Sequence, residues 1–197
     1  MKGVNDVKIL AISGSPRKGG NTDTLLRIAL DVLENHGIET DFISLSGKKI
    51  LTCTACMLCK QEPRCVLEDN FDHIFRTMVD SDGFIIGSPV YFGSASAEIT
   101  ALLDRAGYVA RHNGHPFNRK IGGSVTVARR AGQNFTLAQV LMWFMINGMI
   151  VPGSTYWNIA FGKEKGDVMK DEEGIQTVRT FAENVAWLLK KINTGKV

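Results

Sequence analysis

Four cysteines stand closest to chemistry in this sequence. Cys53, Cys56, Cys59 and Cys65 follow the spacing C-x2-C-x2-C-x5-C, and no other cysteine occurs in the 197 residues. A compact C-x2-C-x2-C run wraps three corners of an iron–sulfur cubane, and a nearby fourth cysteine completes it. Structural zinc prefers two well-separated C-x2-C pairs. A redox dithiol needs only two of the four thiols, and inert thiols left from an ancestral site need none. The spacing fits a [4Fe–4S] cluster best and leaves the other readings open. His36, His73, His112 and His115 form no metal spacing with these cysteines.

A second group is built for anions. Ser13-Gly14-Ser15-Pro16-Arg17-Lys18-Gly19-Gly20-Asn21-Thr22 joins an apolar run to an amphipathic one. Its hydroxyls, glycines and amide can surround an anion, and the following helix offers unpaired N–H groups and a positive dipole end. Arg17 adds a charge-assisted contact. No GKS or GKT follows, so this is not a P-loop, and it is not GxGxxG, which argues against a tightly held dinucleotide. The plain alternative is a turn that only caps a helix.

Two more loops carry polar and aromatic groups. Ser88-Pro89-Val90-Tyr91-Phe92-Gly93-Ser94-Ala95-Ser96 holds an aromatic pair, which read alone could equally be core or rim. Ala128-Arg129-Arg130-Ala131-Gly132-Gln133 holds two arginines. They suit an anionic reduced cofactor or a phosphorylated nicotinamide donor, and they suit solvated surface equally well.

The elements that must position these loops alternate. Val7–Ser13, Glu39–Leu45, Gly83–Gly87 and Ile121–Ala128 read as strands, with Met149–Val151 and Ser154–Ile159 supplying the last. Thr22–His36, a stretch from an Asn70 N-cap to Val79, Ser96–Ala110, Phe135–Asn147 and Asp171–Ile192 read as helices. Such alternation predicts an α/β fold: a parallel five-stranded sheet, helices on both faces, order 2-1-3-4-5. Ligands of such sheets bind beyond the carboxyl ends of the strands. The loops after the first, third and fourth strands therefore carry the site. One domain is expected over 1–197, with a cysteine-rich insertion at about 50–68.

The run SGSPRKGGNT resembles the phosphate loop of the NAD(P)H-dependent FMN reductases of the flavodoxin superfamily. The resemblance implies a flavodoxin-like three-layer sandwich that binds FMN. It makes Ser13, Ser15, Arg17, Asn21 and Thr22 ligands of the 5′-phosphate, with Pro16 in the same loop. SPVYFGSAS looks like the loop that cradles the flavin ring, which implies Pro89, Val90, Tyr91, Phe92, Gly93 and Ser94. The loop after the fourth strand implies Ala128, Arg129 and Gly132. Joined to the cysteine spacing, the pattern resembles the iron–sulfur flavoproteins of anaerobic archaea and bacteria. That resemblance implies Cys53, Cys56, Cys59 and Cys65 as cluster ligands. It also implies electron transfer from ferredoxin or NAD(P)H through FMN to a small-molecule acceptor, in a homodimer or homotetramer.

Composition narrows the classes further. A net charge of +3 with scattered basic residues argues against a nucleic-acid partner. No segment approaches bilayer-spanning length, so no membrane role is expected and a cytoplasmic location is. Thiols stay reduced in that compartment, which disfavours structural disulfides. Phe135–Ile150 is apolar around much of a helix, and with Tyr108 it predicts a homodimer face. No side chain is arranged for hydrolysis, as expected where the cofactor carries the chemistry. Three alternatives remain: a cluster-free NAD(P)H-dependent FMN or quinone reductase, a flavodoxin-like electron carrier, and a zinc-stabilised FMN-binding module.

Overall fold

Apolar runs with few polar interruptions form strands buried on both faces, and that is how the three inner strands of this sheet are made. The computed structural model describes residues 7–194. Residues 1–6 and 195–197, which the one-domain expectation includes, lie outside the described residues. The strands are β1 (Lys8–Ser13), β2 (Glu39–Ser44), β3 (Gly83–Pro89), β4 (Ile121–Ala128) and β5 (Ile159–Phe161). They pair in parallel in the order β2-β1-β3-β4-β5.

Side chains alternate across the strands and build two cores. Ile9, Ala11, Val125 and Val127 face α1 (Asn21–Asn35) and α5 (Glu172–Thr194). Leu10, Ile12, Phe84 and Ile86 face α2 (Phe71–Asp80), α3 (Ala97–His112) and α4 (Gln133–Ile146). The architecture is the expected three-layer α/β sandwich.

Two local expectations fail. Ser154–Asn158 is not strand. A lone bridge joins Ile121 to Ile150, and β5 begins only at Ile159. Between them the chain leaves the sheet edge, where Ser154 Oγ donates to Thr177 O at 2.6 Å and Asn184 Nδ2 donates to Gly153 O at 2.9 Å. Asn70 occupies the N-cap position of α2 without capping it. Its Oδ1 accepts from Lys49 N at 2.9 Å, and Asp69 accepts from Phe71 N instead. Ser96 does cap α3, accepting from Ile99 N at 3.4 Å. Among the described residues no helix is long and apolar enough to cross a membrane.

Candidate functional site

Strands that end together bring their following loops together. At the carboxyl edge of the sheet, Ser15, Arg17, Asn21, Thr22, Pro89, Val90, Tyr91 and Arg129 line one cleft of about 130 Å3. Three separate loops thus meet at a single place. Gly162 and Lys163, just after β5, complete the lining.

The anion loop is held by buried polar contacts. Asp23, in the first turn of α1, accepts from Ser13 Oγ at 2.5 Å and from Gly19 N at 2.8 Å. Ser15 Oγ accepts from Arg17 N at 3.2 Å and closes the turn. Gly14 is a close-approach glycine. A Cβ there would fall 2.1 Å from Ile99 Cγ1 and 2.6 Å from Ser96 Oγ. The anion loop therefore sits directly on the start of α3.

The predicted phosphate residues have different positions. Ser15, Arg17, Asn21 and Thr22 line the cleft. Thr22 is buried. Asn21 also clips the loop after β5: its Nδ2 donates to Glu164 O at 2.8 Å, and its Oδ1 accepts from Gly166 N at 2.8 Å. Arg17 Nη1 donates to Lys163 O at 3.0 Å. Ser13 is outside the lining with its hydroxyl on Asp23, and the exposed Pro16 offers its carbonyl to Ser46 Oγ at 2.9 Å.

In the second loop, Pro89, Val90 and Tyr91 reach the cleft, while Phe92, Gly93 and Ser94 lie outside its lining. Tyr91 and Ser94 exchange backbone hydrogen bonds around a turn with positive φ at Phe92 (52°) and Gly93 (79°). That conformation is ordinary for glycine and strained for phenylalanine. The Phe92 side chain is fully exposed at the tip. In the third loop, Arg129 faces the cleft and Ala128 is buried. Gly132 (φ 92°) begins α4, where a Cβ would meet Val90 Cγ1 at 3.0 Å.

All four cysteines line a second pocket, together with Met57, Arg105, Tyr108 and Val109. The segment leading to them touches the anion loop through Ser46, so both sites belong to the same sheet edge. Ala55 and Met57 have positive φ, which turns the chain sharply between successive cysteines. Backbone and hydroxyl donors already address the sulfurs. Ala55 N donates to Cys53 Sγ at 3.4 Å. The Leu58 N–H, aided by Thr54, draws the exposed Cys56 thiol below its ordinary value. Burial pushes the Cys59 thiol up, and the neighbouring Cys56, Cys53 and Cys65 add to that rise.

Sequence reasoning missed what holds this loop. Arg105 of α3 and Asp69 before α2 form a bidentate pair, with Nη1–Oδ2 at 2.5 Å and Nη2–Oδ1 at 3.1 Å. Both side chains are almost wholly enclosed. Burial opposes ionisation of Asp69, but Arg105 and the Leu51 and Phe71 N–H groups outweigh it and hold the carboxyl below its usual value. Asn113, at the end of α3, donates to Cys59 O at 2.8 Å. A helix arginine and a loop aspartate 36 residues apart carry no local signal. Gly162 and Lys163 were missed because β5 is too short to show a period.

In number and type, the four thiols facing this pocket match the four thiolates that a cubane takes. Among the described residues, no three His, Cys, Asp or Glu side chains converge tightly enough for a single ion. A zinc ion would require its sulfurs about 2.3 Å from one point, whereas a cubane takes one thiolate at each of four separated corners. The pocket that the cysteines share with Arg105 and Tyr108 has a volume of about 20 Å3.

A parallel sheet in this order, with an anion loop after β1 and an aromatic loop after β3, defines a flavodoxin-like flavin-binding protein. Residues 7–164 match the model of the NADPH-dependent FMN reductases, and the chain belongs to that family. It is an FMN-dependent oxidoreductase. An iron–sulfur flavoprotein of Methanocaldococcus jannaschii is 40% identical, the alignment covering 94% of this chain and 99% of that one. Another from Methanosarcina thermophila is 34% identical, over 96% and 99% respectively. Among solved structures, the NAD(P)H:acceptor oxidoreductase FerB of Paracoccus denitrificans superposes with a TM-score of 0.68 at 16% identity, over 94% of this chain and 98% of that one.

Proposed function

We propose that this oxidoreductase passes electrons between a ferredoxin or NAD(P)H donor and a small acceptor, using FMN and a [4Fe–4S] cluster. The observation that carries the reading is the lining of one pocket by all four cysteines, at the sheet edge that also bears the anion cleft. The relatives named iron–sulfur flavoproteins support it over nearly the full chain.

FMN exchanges electrons singly or in pairs, and the cluster singly. Everything else falls to the protein's own residues. Ser15, Arg17 and Thr22 surround the phosphate, with the N-terminus of α1 behind them. Pro89, Val90 and Tyr91 form an apolar wall for the ring. Arg129 places positive charge at the cleft mouth, where it favours a reduced, anionic ring or a phosphorylated donor. Cys53, Cys56, Cys59 and Cys65 hold the cluster.

The exposed side of α4 completes the reading. Phe135, Met142, Met145 and Ile146 face outward, and Gln139 between them accepts from Ser94 Oγ at 3.0 Å. The apolar strip therefore runs into the Phe92 turn. A second copy of the chain covering it forms a homodimer, or half of a tetramer, beside the flavin loop.

The test is iron, sulfide, zinc and flavin content, with an absorption spectrum, on protein purified without oxygen. Four iron and four sulfide per FMN establish the [4Fe–4S] cluster on which the proposal rests. Flavin without iron, after anaerobic reconstitution, leaves the cluster-free FMN or quinone reductase. Exchange of electrons with protein partners alone, and no turnover of NAD(P)H, selects the carrier.

A further inference from the structure

Arg105 is the bulkiest fully buried side chain described. A buried cation is tolerated only when its charge and all its donors are matched. Here every N–H of the guanidinium has a partner. Nε donates to Cys65 Sγ at 3.3 Å. Nη1 donates to Leu51 O at 3.1 Å and to Asp69 Oδ2. Nη2 donates to Leu67 O at 3.3 Å and to Asp69 Oδ1. The Phe71 ring covers the guanidinium face at 4.1 Å.

The partners have a pattern. Leu51 enters the cysteine loop, Cys65 is its last cysteine, and Leu67 and Asp69 leave it. Asp69 Oδ2 in turn accepts from Leu51 N at 2.7 Å, which locks entry to exit. One side chain on a rigid helix thus sets both ends of the loop and touches one sulfur. Lysine has no planar five-donor fork and cannot reproduce this.

We propose that Arg105 is the positioning residue of the cysteine site, fixing Cys65 as the fourth ligand and setting the reduction potential of the bound cluster. The inference rests on the cluster reading above. A charged donor on a ligand sulfur favours the more negative, reduced state, so it raises the potential. It also keeps the fourth thiolate in place while the other three ligands engage.

The experiment compares wild type with Arg105→Lys after anaerobic reconstitution. The readouts are FMN, iron and sulfide content, the midpoint potentials of cluster and flavin, and the rate of iron loss to a chelator. The expected variant keeps FMN and the flavin potential. Its cluster potential moves to a more negative value, and it loses iron at least tenfold faster. Arg105→Met combined with Asp69→Asn, which leaves no buried charge unpaired, is expected to move both cluster readouts further. It supplies the test if the lysine variant loses FMN and so has not folded. Wild-type cluster potential and iron retention in a variant that binds FMN overturn the role of Arg105 alone. Wild-type protein that never takes up iron overturns the cluster reading and this inference with it.

Discussion

The anion cleft and the cysteine pocket are made in opposite ways. The anion loop grows directly from a central strand. Its own backbone and the buried Ser13–Asp23–Gly19 contacts shape it from within. The cysteine loop follows the edge strand β2. Its middle is largely exposed and holds one short 3-10 turn, Leu58–Lys60. It is secured from outside, through Arg105 of α3 and Asn113 just beyond that helix. A site formed by the sheet is ready before its ligand arrives. A site tethered at its ends keeps its donors close, yet needs the ligand to fix their final arrangement.

That contrast is broken most forcefully at a cysteine. Cys59→Ser is expected to abolish cluster incorporation while FMN binding persists, as iron and flavin analysis of one preparation would show. Equal loss of both cofactors would mean that the two regions are not separable. Asp69→Ala comes next. It strips the partner from a buried guanidinium and is expected to destabilise the protein by about 3–5 kcal/mol in urea unfolding.

The same carboxylate predicts a pH response. Its folded pKa lies below the ordinary 3.8. Its contribution is therefore complete above that value and is withdrawn as pH falls through the folded pKa. Urea midpoints measured from about pH 5 downward should fall less steeply in Asp69→Asn than in wild type. An unchanged slope would show that other groups control acid unfolding.

Gly14→Ala sharpens the comparison from the other side. The added methyl meets Ile99 and Ser96, so FMN affinity should fall and stability should drop by about 1–3 kcal/mol. Wild-type FMN affinity would show that the loop adapts. The smallest effect belongs to Phe92→Asn. Asparagine tolerates positive φ, so stability should rise by about 0.5 kcal/mol. Size-exclusion chromatography should then show weaker self-association, and unchanged association would place the copy-to-copy contact away from Phe92.

The sequence revealed the layer pattern because strand and helix periods alternate cleanly through Ala128. It also revealed three of the loops around the cleft, since each follows a strand long enough to recognise. It misplaced the last strand, because a chain excursion separates Ile150 from Ile159 and the hydrophobic pattern continues across it. It could not show that Asn21 clips the loop at 164–166, nor that Arg105 and Asp69 hold the cysteines. Those are long-range pairings between polar residues whose types fit ordinary surface positions.

Helix α3 meets both regions. Its first turn packs against Gly14, and its middle carries Arg105. The rise from Ser96 to Arg105 is about 13 Å of helix. The helix is therefore a ruler. It holds the span between the Arg105 anchor of the cysteine loop and the anion loop constant. The distance from the Arg105 anchor to the anion loop is thus written in helical rise, nine residues long.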